Sequence, residues 1–231
     1  MPFVLDRRQQ LYVVLTAVFV TSLLIADLVA GKYFQFGGFE MSVGTVTFPV
    51  AFILTDIVNE YYGGHGARFM TGVGMGMLVL AFALIFCARM LPPSVGTFIP
   101  EESFQAVFGM APRLIFSSLI AYLISQFVDI YTFQALKRVT ESKHLWARAI
   151  GSTVISQVVD TCVVTFGVMV GSRTFLDIVS VVLTQYVYKI IVAIALTPLC
   201  YLAHGIITTR MGIEPMPHER GSEQATTGAE S

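Results

Sequence analysis

The stretch PRLIFSSLIAYLISQFVDIYTFQAL, residues 112–136, carries only two charged side chains, Arg113 and Asp129. A helix crosses the ~30 Å hydrocarbon core of a bilayer in about 20 apolar residues, so this segment reads as a transmembrane span. Its charges are not scattered. Arg113, Ser117, Ala121, Ser125 and Asp129 recur at every fourth position, which places one small and polar stripe along a single helix face. The other faces carry Leu, Ile, Phe and Val, as lipid requires. The alternation expected of a transmembrane barrel strand is absent.

Five further stretches have the same character, at about 11–31, 44–62, 69–88, 149–170 and 178–203. The chain as a whole is 55% hydrophobic and 13% charged, about half the charge of an average soluble domain. These features predict an all-α polytopic membrane protein with a six-helix transmembrane bundle. The first span follows Arg7 and Arg8 as a secretory signal would, but it is too long for an ordinary signal core and is read as retained. Nine Lys/Arg (Arg7, Arg8, Arg68, Lys137, Arg138, Lys143, Arg148, Arg210, Arg220) fall on one side and three (Lys32, Arg89, Arg173) on the other. The positive-inside rule then places both termini in the cytoplasm, in a cell inner membrane.

A single transporter domain is expected over 1–209, followed by a disordered cytoplasmic tail over 210–231. The loop 89–111 contains Phe104, Phe108 and Met110, which suit a short surface helix. A net charge of -1 offers no basic field for nucleic acid. Cys87, Cys162 and Cys200 are far apart, and neither they nor the four histidines show metal-ligand spacing, so no metal and no cofactor are expected. One internal similarity stands out: Ser125-Gln126-Phe127-Val128-Asp129 and Ser156-Gln157-Val158-Val159-Asp160 share the pattern Ser-Gln-x-Val-Asp. They lie in consecutive, antiparallel spans, the arrangement of an inverted repeat. The match is short, and a symmetric hairpin would leave the two aspartates at unequal depths.

Asp27, Asp56, Glu60, Arg113, Asp129, Asp160 and Lys189 all fall within spans. Insertion scales charge about 2.5–3.5 kcal/mol for an Asp, Lys or Arg at mid-helix, so these side chains face the bundle interior, a wet cavity or each other. Structural ion pairing accounts for some of them, but five acids against two bases leave it incomplete. Asp56, Asn59 and Glu60 share one helix face. Arg148, Ser152, Ser156 and Asp160 form a ladder in the fifth span, and Gln185 and Lys189 are one turn apart in the sixth. Serines on such stripes ordinarily serve close helix packing. Gln126, Gln157 and Gln185, on three helices, suit the lining of a cavity.

Several of these residues resemble a known family in order along nearly the whole chain. Thr47-Phe48-Pro49, Thr55-Asp56 and Asn59-Glu60-x-Tyr62-Gly63 resemble the second span of the queuosine precursor transporter family, also called the VUT family. Pro112-Arg113, Ser118, Ala121-Tyr122, Ser125-Gln126, Asp129 and Phe133 resemble its fourth span. Ser152 through Asp160-Thr161 with Phe166 resembles its fifth, and Tyr188-Lys189 with Pro198 its sixth. The resemblance implies a non-enzymatic secondary transporter that imports 7-cyano-7-deazaguanine, and 7-aminomethyl-7-deazaguanine as a second candidate. Its partners would be a nucleobase and the bilayer, and a homo-oligomer is compatible with it. A guanine-like base presents a ring N–H beside an exocyclic amine, which one carboxylate accepts together. Asp129 or Asp160 is assigned to that edge, Gln126, Gln157 and Lys189 to the other polar atoms, and Phe48 and Tyr122 to an aromatic wall. Asp56, Asn59, Glu60 and Arg113 are the candidates for ion pairing or a coupling proton.

Two other readings compete. A substrate-binding subunit of an energy-coupling-factor vitamin transporter has this size, and Ala26-x-x-x-Ala30 would be its contact to an ATPase module. An intramembrane aspartyl enzyme is the other, but Gly-x-Gly-Asp, His-Glu-x-x-His and Gly-x-Ser-x-Gly signatures are all missing.

Overall fold

The computed structural model describes residues 5–30, 32–36, 39–94, 96–109, 112–140, 145–171 and 174–216, and at 47–48, 112–115 and 145–149, among others, it describes the backbone alone. Helix α1 (Arg7–Val29) begins at a capping box, with the Asp6 side chain accepting from Arg7 N and Gln9 Oε1 accepting from Asp6 N. A short antiparallel hairpin follows, β1 (Tyr33–Phe36) with β2 (Phe39–Ser42), Tyr33 opposite Ser42. The helical bundle expected from the sequence is present, and this hairpin is an addition to it between α1 and the helix that follows. The remaining elements are α2 (Gly44–Arg89), α3 (Glu101–Phe108), α4 (Pro112–Val139), α5 (Leu145–Met169) and α6 (Phe175–Met211). The short helix expected in the 89–111 loop is α3.

The distribution of burial is that of a membrane bundle. Phe69, Leu84, Phe86, Leu183 and Ile191 are exposed, whereas Asp56, Asn59, Glu60, Gln126, Asp129, Gln157 and Asp160 are buried. Water would reverse this order; lipid permits it, because apolar side chains lose nothing by facing acyl chains and polar ones gain partners inside. Among the described residues, five helices are long and apolar enough to cross a membrane.

The second and third stretches, expected as separate helices at 44–62 and 69–88, are joined. The 46 residues of α2 are broken only at Gly63, with φ 69° and ψ −179°. Packing against α1 shows what the break does. Gly44 lies against Ala26 and Ala30, near the end of α1, and Tyr62 Oη donates to Arg8 O at its start. Past Gly63 the order reverses: Tyr12 Oη donates to Gly66 O, and Gly74 lies against Phe19 and Leu23. The chain therefore descends along α1 and climbs back along it, and a single glycine makes the corner.

Helices α4 and α5 pack closely along their length, with Gly151 against Leu136 and Gly167 against the Ser117 side chain. A side chain at 167 has no room. Gly167→Val is expected to lower stability in detergent by about 1–3 kcal/mol, and Ser117→Gly to recover most of that loss. A melt unchanged in the single variant would show that the helices part freely here. At the far end, α6 runs to Met211 and is capped by left-handed Gly212. Ile213 is buried and Met216 N donates to Glu60 O. The tail boundary expected at 210 falls inside α6, and the chain just after it is held by buried Ile213 and by the bond from Met216 N to Glu60 O; residues 217–231 lie outside the described residues.

Candidate functional site

The two Ser-Gln-x-Val-Asp segments meet at the centre of the α4–α5 pair. Ser125 Oγ donates to Asp160 Oδ1 at 3.4 Å, and Ser156 Oγ to Asp129 Oδ1 at 3.0 Å. Each copy of the motif therefore gives its hydroxyl to the aspartate of the other. The midpoint of the two bonds falls at Phe127 and Val158, near the middle of both helices. The aspartates lie about one helical turn, ~6 Å, apart in depth, as an antiparallel repeat dictates.

The charge around the two copies is unequal. Lys189 of α6 places Nζ 2.7 Å from Asp160 Oδ2 and donates to Thr161 Oγ1 at 3.1 Å. Asp129, on the other side, meets Ser156 and Ser152 of α5 and has no cation partner among the described residues.

A cleft opens between α2, α5 and α6, with about 30 Å³ of free volume open to a water-sized sphere. Small-molecule sites are mostly apolar with a few fixed polar groups. Here the polar groups are Asp56, Thr153, Gln157, Lys189 and Thr197, set among Pro49, Phe52, Ile150 and Leu196. Gln157 is 3% exposed and its Oε1 lacks a hydrogen-bond partner among the described residues. A buried acceptor left open in this way suits a donor brought by a ligand or water. Pro49 and Pro198 interrupt the ladders of α2 and α6 beside the cleft, since neither nitrogen can donate.

Other candidates stand behind it. Gln126 is fully buried, and its Oε1 accepts from Thr55 Oγ1 at 3.2 Å. Asn59 Oδ1 accepts from Gln134 Nε2 at 3.1 Å. Glu60 pairs with Lys137 at 3.1 Å. Lys137, expected in the α4–α5 connection, is 2% exposed inside the bundle. Its long stem reaches back from the last turn of α4, which sequence position alone does not show. The charge asymmetry keeps its sign without it. Tyr122 donates to Thr71 O at 3.1 Å and packs on Gly74, away from the cleft. Phe52, one turn past Phe48, is the aromatic in the cleft wall. The side chains of Phe48 and Arg113 lie outside the described residues. Thr153, Thr197 and Cys200 were not singled out from the sequence; Thr and Cys inside apolar runs carry no signal there. Among the described residues no three His, Cys, Asp or Glu are placed to hold a metal.

Residues 42–203 match the family model described as "Putative vitamin uptake transporter". The chain belongs to the Vut_1 family. The Vut_1 region starts at the second strand and takes in every residue of the cleft and of the α4–α5 pair. A relative from Bacillus subtilis, named probable queuosine precursor transporter, is 29% identical over 79% of this chain and 80% of its own. The queuosine precursor transporter of Escherichia coli is 25% identical over 54% of this chain and 53% of its own. A Haemophilus influenzae protein named probable queuosine precursor transporter is 24% identical over 54% of this chain and 50% of its own. No solved structure matches the chain. As a Vut_1 member the chain is a multi-pass membrane transporter and not an enzyme.

Proposed function

We propose that this chain is a secondary transporter that imports queuosine precursors, the 7-deazaguanine bases, across the cytoplasmic membrane, with six spans and both termini inside. The observation that supports it most is the polar cleft beside the Asp160–Lys189 pair in a chain whose relatives carry that transporter name. In this reading the two halves of α2 are separate crossings joined at Gly63. The donor edge of the base takes the Asp160 carboxylate by a paired contact, displacing Lys189 Nζ toward the ring carbonyl. One charge-assisted contact is exchanged for others, so entry leaves no buried charge uncompensated. Gln157 Oε1 accepts a remaining ring N–H, and Phe52 supplies a flat wall.

The test is uptake of labelled 7-cyano- and 7-aminomethyl-7-deazaguanine by cells unable to make them, with and without an ionophore. Uptake that needs the protein and fails with the ionophore supports the reading; uptake that survives loss of the membrane gradient, or none of either base, overturns it. Gln157→Leu is expected to raise the apparent KM about tenfold or more at unchanged expression, because the base then buries an unpaired donor. The energy-coupling-factor alternative loses its contact surface: Ala26 is 1% exposed and, with Ala30, is covered by Gly44 of the same chain.

A further inference from the structure

Two copies of one motif with opposite charge environments invite different tasks. Asp160 has Lys189; Asp129 has hydroxyls only. We propose that Asp129 is the residue that binds and releases the coupling proton, while its repeat partner Asp160 serves the substrate. The inference rests on the transport reading above and adds the energy source to it.

Its basis is what surrounds Asp129. The side chain is fully buried at mid-helix, and Oδ2 has no hydrogen-bond partner among the described residues. The charged groups on the packed faces are already committed. From α2 come Asp56, in the cleft, and Glu60, held by Lys137 of α4. From α5 comes Asp160, held by Lys189 of α6. From α1 comes Asp27, bound by Ser118 about three turns along α4. Among the described residues no Lys or Arg remains to neutralise Asp129, and an isolated carboxylate in this medium is far costlier than a carboxyl. A proton is the counter-charge left.

Asp129 is also wired to the cleft. Its hydroxyl partner Ser156 is the chain neighbour of Gln157, which lines the cleft. A base that draws on Gln157 shifts the α5 backbone and with it the hydroxyl on Asp129 Oδ1. Asp27 is placed differently: its hydroxyl partner Ser118 lies outside both repeats, and it meets the second repeat only through the like charge of Asp160. The repeat supplies the two ways out. An axis through the middle of the α4–α5 pair lets the two halves exchange exposure, so a proton taken up at Asp129 on one side leaves on the other.

Purified protein in liposomes holding a trapped pH dye, given labelled 7-aminomethyl-7-deazaguanine and 7-cyano-7-deazaguanine, reads both events. In the wild type, base influx is expected to acidify the lumen. Asp129→Asn is expected to exchange external for internal base within about threefold of the wild-type rate, while accumulation against a gradient and acidification vanish. Wild-type influx without acidification overturns the inference, as does acidification by Asp129→Asn or loss of exchange in a folded Asp129→Asn protein. Wild-type liposomes that move neither base reject the transport reading instead. Independently, dicyclohexylcarbodiimide, which modifies protonated carboxyls in membranes, is expected to label Asp129 of the wild type. Labelling at Asp27, Asp56 or Asp160 instead, or at none, overturns the assignment even where Asp129→Asn does not fold.

Discussion

Lys189→Met is expected to abolish uptake of the base and to destabilise the protein by about 3–5 kcal/mol, the cost of leaving a buried carboxylate without its partner. The pair is close and dry: Nζ sits 2.7 Å from Asp160 Oδ2, with side-chain exposures of 12% and 5%. Screening by water therefore does little. The double variant Lys189→Met/Asp160→Asn is expected to recover most of the stability, since Ser125 still donates to the amide oxygen, and none of the uptake. Thermal unfolding in detergent and uptake in cells separate the two effects. A single variant as stable as the wild type would show that Asp160 finds another counter-charge. A double variant that transports would show that the pair is only structural.

Gly63→Ala is expected to lower the yield of folded protein and to cost roughly 1–3 kcal/mol, with Gly63→Val worse. The backbone decides this, not space. At φ 69° and ψ −179° an L side chain is strained, while a Cβ there would meet only Met216 Sδ at 3.6 Å. Gly64→Ala is the control. That residue is helical, its Cβ would make an ordinary contact with Gln134 at 3.4 Å, and Ala is favoured over Gly in a helix by about 1 kcal/mol. A yield equal at both positions would place the corner of α2 somewhere other than Gly63.

Much of this fold is legible because lipid imposes a simple rule. The apolar runs give α1, both halves of α2, α4 and α5 nearly to their ends, since length and hydropathy are what the bilayer selects, whereas α6 runs on past the expected 203 to Met211. The β hairpin at 33–42 is not legible, because four-residue strands have no periodicity to speak of. The corner at Gly63 is hidden for a different reason. Two adjacent glycines look like any flexible linker, and only the backbone angles show that one turns the chain while the other stays helical.

The site divides in the same way. Rare charges within spans marked Asp56, Glu60, Asp129, Asp160 and Lys189, because each costs too much to be idle. Their partners were not marked. Lys137 looked like a loop cation until its stem reached Glu60, and Tyr122 looked like a cavity wall until its hydroxyl met Thr71 O.

What the sequence determined by itself is which side chains must be inside, because a charge left facing hydrocarbon is costly whichever partner the interior offers it. Which of them meet was decided by tertiary structure. Pairing depends on the register of α4 against α5 and on the approach of α6, to within an ångström. The same motif, written twice, thus became one aspartate with a lysine and one without.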